Sequence, residues 1–228
     1  MKQLLTNAVL ALACGFLGAA TWSATGLADK RTEAYLMDNP QILPAMVQAF
    51  EEQEARDRLA RMDNQVYKPF PGAVLGNPNG SKVLVEFTDY NCPFCKTSSQ
   101  DVAALIEQDP EVKVVIREFP IFQGSDIASR MALAAAEQDK FAEFHKAMFD
   151  LAPASAASVR EAAERAGLDL ERARAFGQSR VVEAELRNNS LMAQQLGFDG
   201  TPSWIAGGRA FEGAVGTSAL QAALDREN

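Results

Sequence analysis

The sequence predicts an α/β fold: a strand–helix–strand unit, then a long helical block, then a late return to extended structure, with a helical extension in front. Three observations predict it. An apolar run, Val83 to Thr88, ends just before Asn91-Cys92-Pro93-Phe94-Cys95, and a helical pattern follows. A second apolar run, Val112 to Phe119, comes after that helix at the spacing of a parallel crossover. From about Gly124 to Leu196 the pattern is helical, and extended structure returns only at Ser203.

Bulk properties narrow the classes. The 228 residues suit one domain with appendages, and 47% hydrophobic residues can build an ordinary core. A formal charge of −8 offers no broad cationic surface for phosphate backbones, which argues against nucleic-acid partners.

Residues 1–28 have the pattern of a secretory signal peptide. Lys2 precedes an apolar stretch from Ala8 to Ala20, with Gly26 and Ala28 around a cleavage point. Two alternatives stay open: a retained membrane anchor, for which the apolar run is short, and lipid attachment at Cys14 after Ala11-Leu12-Ala13. Cleavage would remove Cys14 and leave Cys92 and Cys95 as the remaining thiols. Two thiols three residues apart make no stapling framework, so they are there for chemistry.

Residues 29–67 form the predicted extension. Asn39 suits an N-cap and Pro40 the first helical position. Ile42, Leu43, Met46, Val47 and Phe50 follow at three- and four-residue spacing, and Pro44 is near enough to the start to be tolerated. Glu51 to Arg58 is almost wholly charged; Glu52–Arg56 and Glu54–Arg58 are four apart, each pair adding ~0.3 kcal/mol. Leu59, Met62 and Val66 resume an apolar spacing on a rotated stripe, so no continuous coiled-coil seam fits both halves. Either the helix lies back on its own domain, or Ile42 to Phe50 packs against other copies of the chain. Tyr67-Lys68-Pro69-Phe70-Pro71-Gly72 then breaks it.

The core domain, residues 68–228, starts in earnest near Val74. Asn77 to Gly80 is a turn, and Glu86 is the one acidic residue in the first strand. Val102, Leu105 and Ile106 give the following helix its buried face before Asp109-Pro110 ends it. The inserted helical domain, about 124–197, is punctuated by Gly167, Gly177 and Gly197. After Thr201-Pro202, a strand Ser203 to Ala206 turns at Gly207-Gly208 into Arg209 to Glu212, and Gly216-Thr217 starts a last helix.

Disulfide exchange needs an attacking thiolate, a resolving thiol and access to a substrate sulfur. Cys92 at a helix start is expected to be exposed, with the unpaired N–H groups there favouring its thiolate. Cys95, one turn in, is expected to be shielded, and Pro93 costs nothing at the first helical position. Structural zinc lacks ligands, since His145 is some fifty residues away. A permanent disulfide across so small a loop adds little cross-linking entropy. Cu(I) binding by the reduced pair is chemically reasonable. Glu86 either sits on a wet face or is buried and exchanges protons with Cys95 through water. His145 is read as an ordinary helix residue.

Glu86 through Cys95, Arg117-Glu118-Phe119-Pro120-Ile121, Ala134 to Phe149 and Gly200-Thr201-Pro202-Ser203 together resemble the bacterial DsbA-like thiol–disulfide oxidoreductases. The resemblance runs from about Val74 to the C-terminus. It implies a thioredoxin-like fold with an inserted helical domain, a redox-active disulfide in place of a cofactor, and a periplasmic location. Its partners would be cysteine-containing secreted proteins and a membrane redox partner. Carried over by position, Cys92 is the nucleophile, Cys95 the resolving cysteine and Glu86 the buried acid. Pro202 matches the cis-proline, preceded by Thr201, and this loop faces the disulfide and pairs with substrate backbone beside Pro93 and Phe94. The strongest oxidants of the family carry histidine between the cysteines; Phe94 in its place implies a less oxidising couple. Tyr35-Leu36-Met37-Asp38-Asn39-Pro40 through Glu54 is similar to the N-terminal extension of the suppressor-of-copper-sensitivity (ScsC-like) branch. Some members of that branch oligomerise through it and act as disulfide isomerases, which implies a homo-oligomer through residues 35–66.

Overall fold

Strand pairing brings the two apolar runs together. Lys82–Thr88 (β2) and Val112–Glu118 (β3) pair in parallel, with Glu86 opposite Ile116 and Thr88 opposite Glu118. Val74–Gly76 (β1) adds to β3 antiparallel; Ser203–Ala206 (β4) and Arg209–Glu212 (β5) continue the sheet antiparallel on the other side. The five-stranded order is β1-β3-β2-β4-β5. Gly207 and Gly208, both at positive φ, make the β4–β5 turn, and a Cβ on Gly207 would lie 2.3 Å from the Ala223 carbonyl oxygen.

The computed structural model describes residues 2–24, 26–62 and 64–227. They divide into two compact units, Met1–Glu51 and Glu52–Asn228. The first unit holds α1 (Lys2–Ala24), α2 (Leu27–Asp38), a 3₁₀ turn at Pro40–Ile42 and the start of α3 (Leu43–Arg61). Asn39 does not cap an α-helix as expected. Its side-chain amide donates back to the Tyr35 carbonyl at 2.8 Å, so the chain makes a tighter turn before α3 begins. Tyr35, Met37, Leu43, Met46, Val47 and Phe50 are all exposed.

In the second unit, side-chain alternation sends the two faces of β2 and β3 into different clusters. Leu84, Val114 and Ile116 pack with Val102 and Leu105 of α4 (Pro93–Gln108). Val85, Phe87 and Val115 pack with Leu59, Val66, Leu196 and Phe198. The chain from Glu52 onward therefore lies back on its own domain. Arg58 Nε donates to the Leu196 carbonyl at 2.8 Å, and Arg209 pairs with Glu52 at 2.9 Å. The expected i,i+4 pairs are present at 3.8 Å for Glu52–Arg56 and 3.6 Å for Glu54–Arg58. Arg117, on the same face of β3, donates to the carbonyls of Gln65 (2.6 Å), Val66 (3.2 Å) and Lys68, and to Glu185 at 2.9 Å.

Five helices fill the insertion: α5 (Asp126–Glu137), α6 (Phe141–Leu151), α7 (Ala156–Arg165), α8 (Leu170–Gly177) and α9 (Arg180–Leu196). Ser155, Asp169 and Ser179 cap α7, α8 and α9 with side-chain oxygens. Gly197, at φ 76°, ends α9, and α10 (Thr217–Leu224) closes the chain. Among the described residues no helix is long and apolar enough to cross a membrane.

Candidate active site

The C-terminal end of β2 leads into the cysteines through a loop fixed by two side chains. Asp89 is fully buried. Its Oδ1 accepts from Asn91 N at 2.7 Å, and its Oδ2 accepts from Ile121 N (2.7 Å), Phe122 N (2.9 Å) and Ser125 Oγ (2.8 Å). Asn91 donates to the Gln123 carbonyl at 3.0 Å and accepts from Ala154 N at 2.6 Å. The loop before Cys92 is thus tied to the stretch just before α5 and to the connection between α6 and α7. Neither Asp89 nor Asn91 stood out in the sequence, because all but one of these partners lie more than thirty residues along the chain.

Cys92 takes the N-cap position of α4 in extended backbone, and Pro93 the first helical position, as expected. Both cysteines are free thiols. Contrary to expectation, Cys92 is not exposed: the residue is 2% accessible. The Thr201–Pro202 peptide is cis, and its loop crosses the site so that Cys92 Sγ donates to the Thr201 carbonyl at 3.1 Å. Gly213 N donates to the Pro202 carbonyl at 2.8 Å, and Trp204 Nε1 to the Gly213 carbonyl at 2.9 Å, which hold the loop from behind. Pro93 and Phe94 remain on the surface, Phe94 at 63% exposure.

Cys95 is fully buried on the inner side of α4. Burial pushes its pKa well up, and the neighbouring Glu86 carboxyl pushes it further. The Thr201 and Thr88 hydroxyls pull weakly the other way, since neither makes a hydrogen bond of good geometry. Glu86 settles between its two expected placements: it is 1% exposed and faces the α4 side of the sheet with Leu84. Neither carboxyl oxygen has a hydrogen-bond partner, and burial raises its pKa to about 8. The Thr88 hydroxyl nearby lowers it slightly, and burial wins. Near neutral pH Glu86 therefore holds a proton beside the buried Cys95 thiol.

His145 lies on a helix, as expected, and is buried there. It is 4% exposed on α6, and Tyr90 Oη meets its Nδ1 at 3.0 Å. Tyr90 Oη also donates to Glu118 Oε1 at 3.1 Å. Burial holds His145 down at about 3 and raises Glu118 to about 8. Among the described residues no group of three or more His, Cys, Asp or Glu is arranged to hold a metal ion.

A Cys-x-x-Cys pair opening a helix after a central strand, faced by a cis-proline loop, defines a protein of the thioredoxin-like class. The chain belongs to the DsbA-like thioredoxin domain family, whose model matches residues 83–225. A thioredoxin-like oxidoreductase from Silicibacter pomeroyi is 38% identical, with a TM-score of 0.69 over 73% of this chain and 97% of that one. A linker-deletion mutant of ScsC from Proteus mirabilis is 26% identical, with a TM-score of 0.70 over 86% of this chain and 90% of that one. In sequence, 66% of this chain matches 24% of a Na(+)/H(+) antiporter, NhaA 3, from Salinispora tropica at 31% identity. The chain spans about a quarter of the length of such curated relatives, so the transport in that name is not carried to it.

Proposed function

We propose that this chain is a periplasmic thiol–disulfide oxidoreductase acting on cysteines of secreted proteins, leaning toward disulfide isomerisation. The observation that carries it is the 3.1 Å contact from Cys92 Sγ to the Thr201 carbonyl, which sets the thiol at the start of α4 against the cis-proline loop. In this reading Cys92 is the nucleophile and Cys95 resolves the mixed disulfide. Glu86 supplies and takes the Cys95 proton. Thr201, Pro202, Pro93 and Phe94 receive the substrate backbone, whose pairing with the loop exchanges for the Cys92–Thr201 contact and uncovers the sulfur. Substrate and enzyme exchange disulfides without a cofactor, and a membrane redox partner resets the pair.

Two features support the isomerase lean. Phe94 stands where an imidazole would favour the reduced form. The likeness to ScsC spans 86% of the chain, more than the unit from Glu52 alone can supply, so it extends into the first unit. In that unit the exposed row Tyr35, Met37, Leu43, Met46, Val47 and Phe50 would be covered by other copies of the chain. An oligomer holding several copies of the site suits shuffling of wrong disulfides.

Refolding of a scrambled multi-disulfide substrate tests this directly. Wild type should restore the native pairing, Cys92→Ser should be inactive, and deletion of residues 1–51 should give a monomer that oxidises but no longer shuffles. The cut belongs at Glu51 and not at the sequence break near Lys68. Removing Leu59 and Val66 as well would strip two core side chains, each worth ~1.5–3 kcal/mol. A truncated monomer that shuffles as well as the full chain rejects the oligomer argument.

A further inference from the structure

Four buried groups not used by the exchange reaction lie between Glu86 and the insertion: Glu118, Tyr90 and His145 are hydrogen-bonded in series, and Thr88 stands between Glu118 and Glu86. Thr88 lies two residues beyond Glu86 on the same face of β2, and its partner across the ladder is Glu118. Glu118 Oε1 accepts from Tyr90 Oη, which meets His145 Nδ1. Thr88, Tyr90 and Glu118 are fully buried. His145 in turn lines a cavity of about 360 Å³ between α4 and α6, with Val102 and Phe149 in its wall and exposed Glu107, Lys146 and Asp150 at its rim. Both Glu86 oxygens, Thr88 Oγ1 and Glu118 Oε2 lack hydrogen-bond partners. Buried polar atoms left unpaired are rare and point to a redox or catalytic role or to ordered water.

We propose that Thr88, Glu118, Tyr90 and His145 form a proton path between Glu86 and the α4–α6 cavity, an inference that rests on the roles given above to Cys92, Cys95 and Glu86. A substrate thiolate attacks Cys92 Sγ and forms the mixed disulfide. The Cys92–Cys95 bond breaks, its electron pair goes to Cys95 Sγ, and the substrate sulfur is oxidised as Cys95 is reduced. Cys95 takes the proton from Glu86. The buried carboxylate left behind is costly, and the path refills it: a proton enters at His145, hands on through Tyr90 to Glu118, and crosses past Thr88 to Glu86 through ordered water bridging their unpaired oxygens. The reverse reaction sends the proton outward by the same route.

Electrostatics suit this task. Near neutral pH Glu118, held at about 8, carries a proton, and His145, held at about 3, is neutral and can accept at one ring nitrogen while releasing at the other. Burial, then Glu118, pushes the Tyr90 hydroxyl well above its ordinary range, so it passes protons without resting as a phenolate. The titratable groups facing the line are Asp89 from the loop, Cys95 from α4 and His145 from α6; α5 presents the Ser129 hydroxyl. The four residues act through Glu86 and position its proton.

Tyr90→Phe removes the hydroxyl and keeps the ring packed against Phe149, tilted at 4.9 Å, and edge-on to His145 at 5.5 Å. Rapid-mixing kinetics of the full chain with a cysteine peptide, in light and heavy water between about pH 5 and about pH 9, read the Cys95-dependent step. Tyr90→Phe should slow it about tenfold near neutral pH, less than the ~100-fold floor for removing a directly acting acid. The slowed step should also show a larger solvent isotope effect and an altered pH profile. His145→Gln should behave alike, and it carries the test if Tyr90→Phe does not fold. Wild-type profiles in the folded variants, or a uniform loss at every pH with an unchanged isotope effect, overturn the path while an inactive Cys92→Ser leaves the thiol roles standing. Exchange that persists in Cys92→Ser overturns those roles instead.

Discussion

Replacing Glu86 by glutamine tests whether the buried acid holds its proton, because the two side chains share a shape and differ in having a proton to lose. Burial raises the carboxyl from its ordinary 4.5 to about 8. A group whose folded pKa lies above its unfolded one contributes stability that is complete below 4.5 and is lost as the pH climbs through about 8. Over the window where only the unfolded chain has ionised, the loss runs at about 1.36 kcal/mol per pH unit. Between about pH 5 and about pH 8 it amounts to ~3.5 kcal/mol for Glu86 alone. Glu118, also held near 8, adds a slope of its own to both proteins and largely cancels in their difference. The cost of burying the amide is independent of pH and cancels too. Urea unfolding of the reduced full chain, followed through the buried Trp204, gives the four free energies needed. Glu86→Gln should lose ~3.5 kcal/mol less than wild type across that interval. Parallel pH dependence in the two proteins would refute the placing of a neutral acid beside Cys95.

Two further substitutions probe the rim and the loop. Phe94→His puts a cation beside the reduced pair at a site 63% exposed. A contact worth about 1 kcal/mol there should make the couple more oxidising by ~20 mV, measured by equilibration with glutathione buffers, and a potential that stays put rejects the role given to this position. Asp89→Ala strips the acceptor from Ile121 N, Phe122 N and Ser125 Oγ. The two backbone donors belong to exposed residues and Ser125 Oγ keeps the Phe122 carbonyl, so at about 1 kcal/mol for each hydrogen bond lost it should cost ~3 kcal/mol, seen as a lower denaturation midpoint with an unchanged slope.

What the sequence made legible is what depends on neighbours along the chain. Hydrophobic alternation and turn residues placed β4 and β5 at their observed bounds and β2 and β3 within a residue of theirs. The Cys-x-x-Cys spacing and Pro93 placed the helix start. The three-residue β1 was too short to show a period. Cys92 looked exposed because the carbonyl that covers it comes from Thr201, 109 residues later. His145 looked ordinary because Tyr90, which makes it part of a buried chain, lies 55 residues before it. The extension read as one helix of two faces, and the structure divides it at Glu51, where exposed apolar side chains give way to Leu59 and Val66 in the core. Only the contact with β4 and α9 shows which half belongs to the domain.

The pleat of β3 also acts as an electrical partition. Arg117 and Glu118 are adjacent, both buried, and point to opposite sides of the sheet. The cation is held by backbone carbonyls of the incoming chain and by Glu185, on the side of the sheet away from the two carboxyls. A register shift of one residue in β3 would turn the guanidinium to the side of Glu86 while carrying Glu118 to the other, and a buried opposite charge lowers a carboxyl's pKa as readily as burial raises it. Glu86 would then ionise and no longer hold a proton beside Cys95. That the site can hold a proton at neutral pH thus depends on which side of a strand one arginine faces.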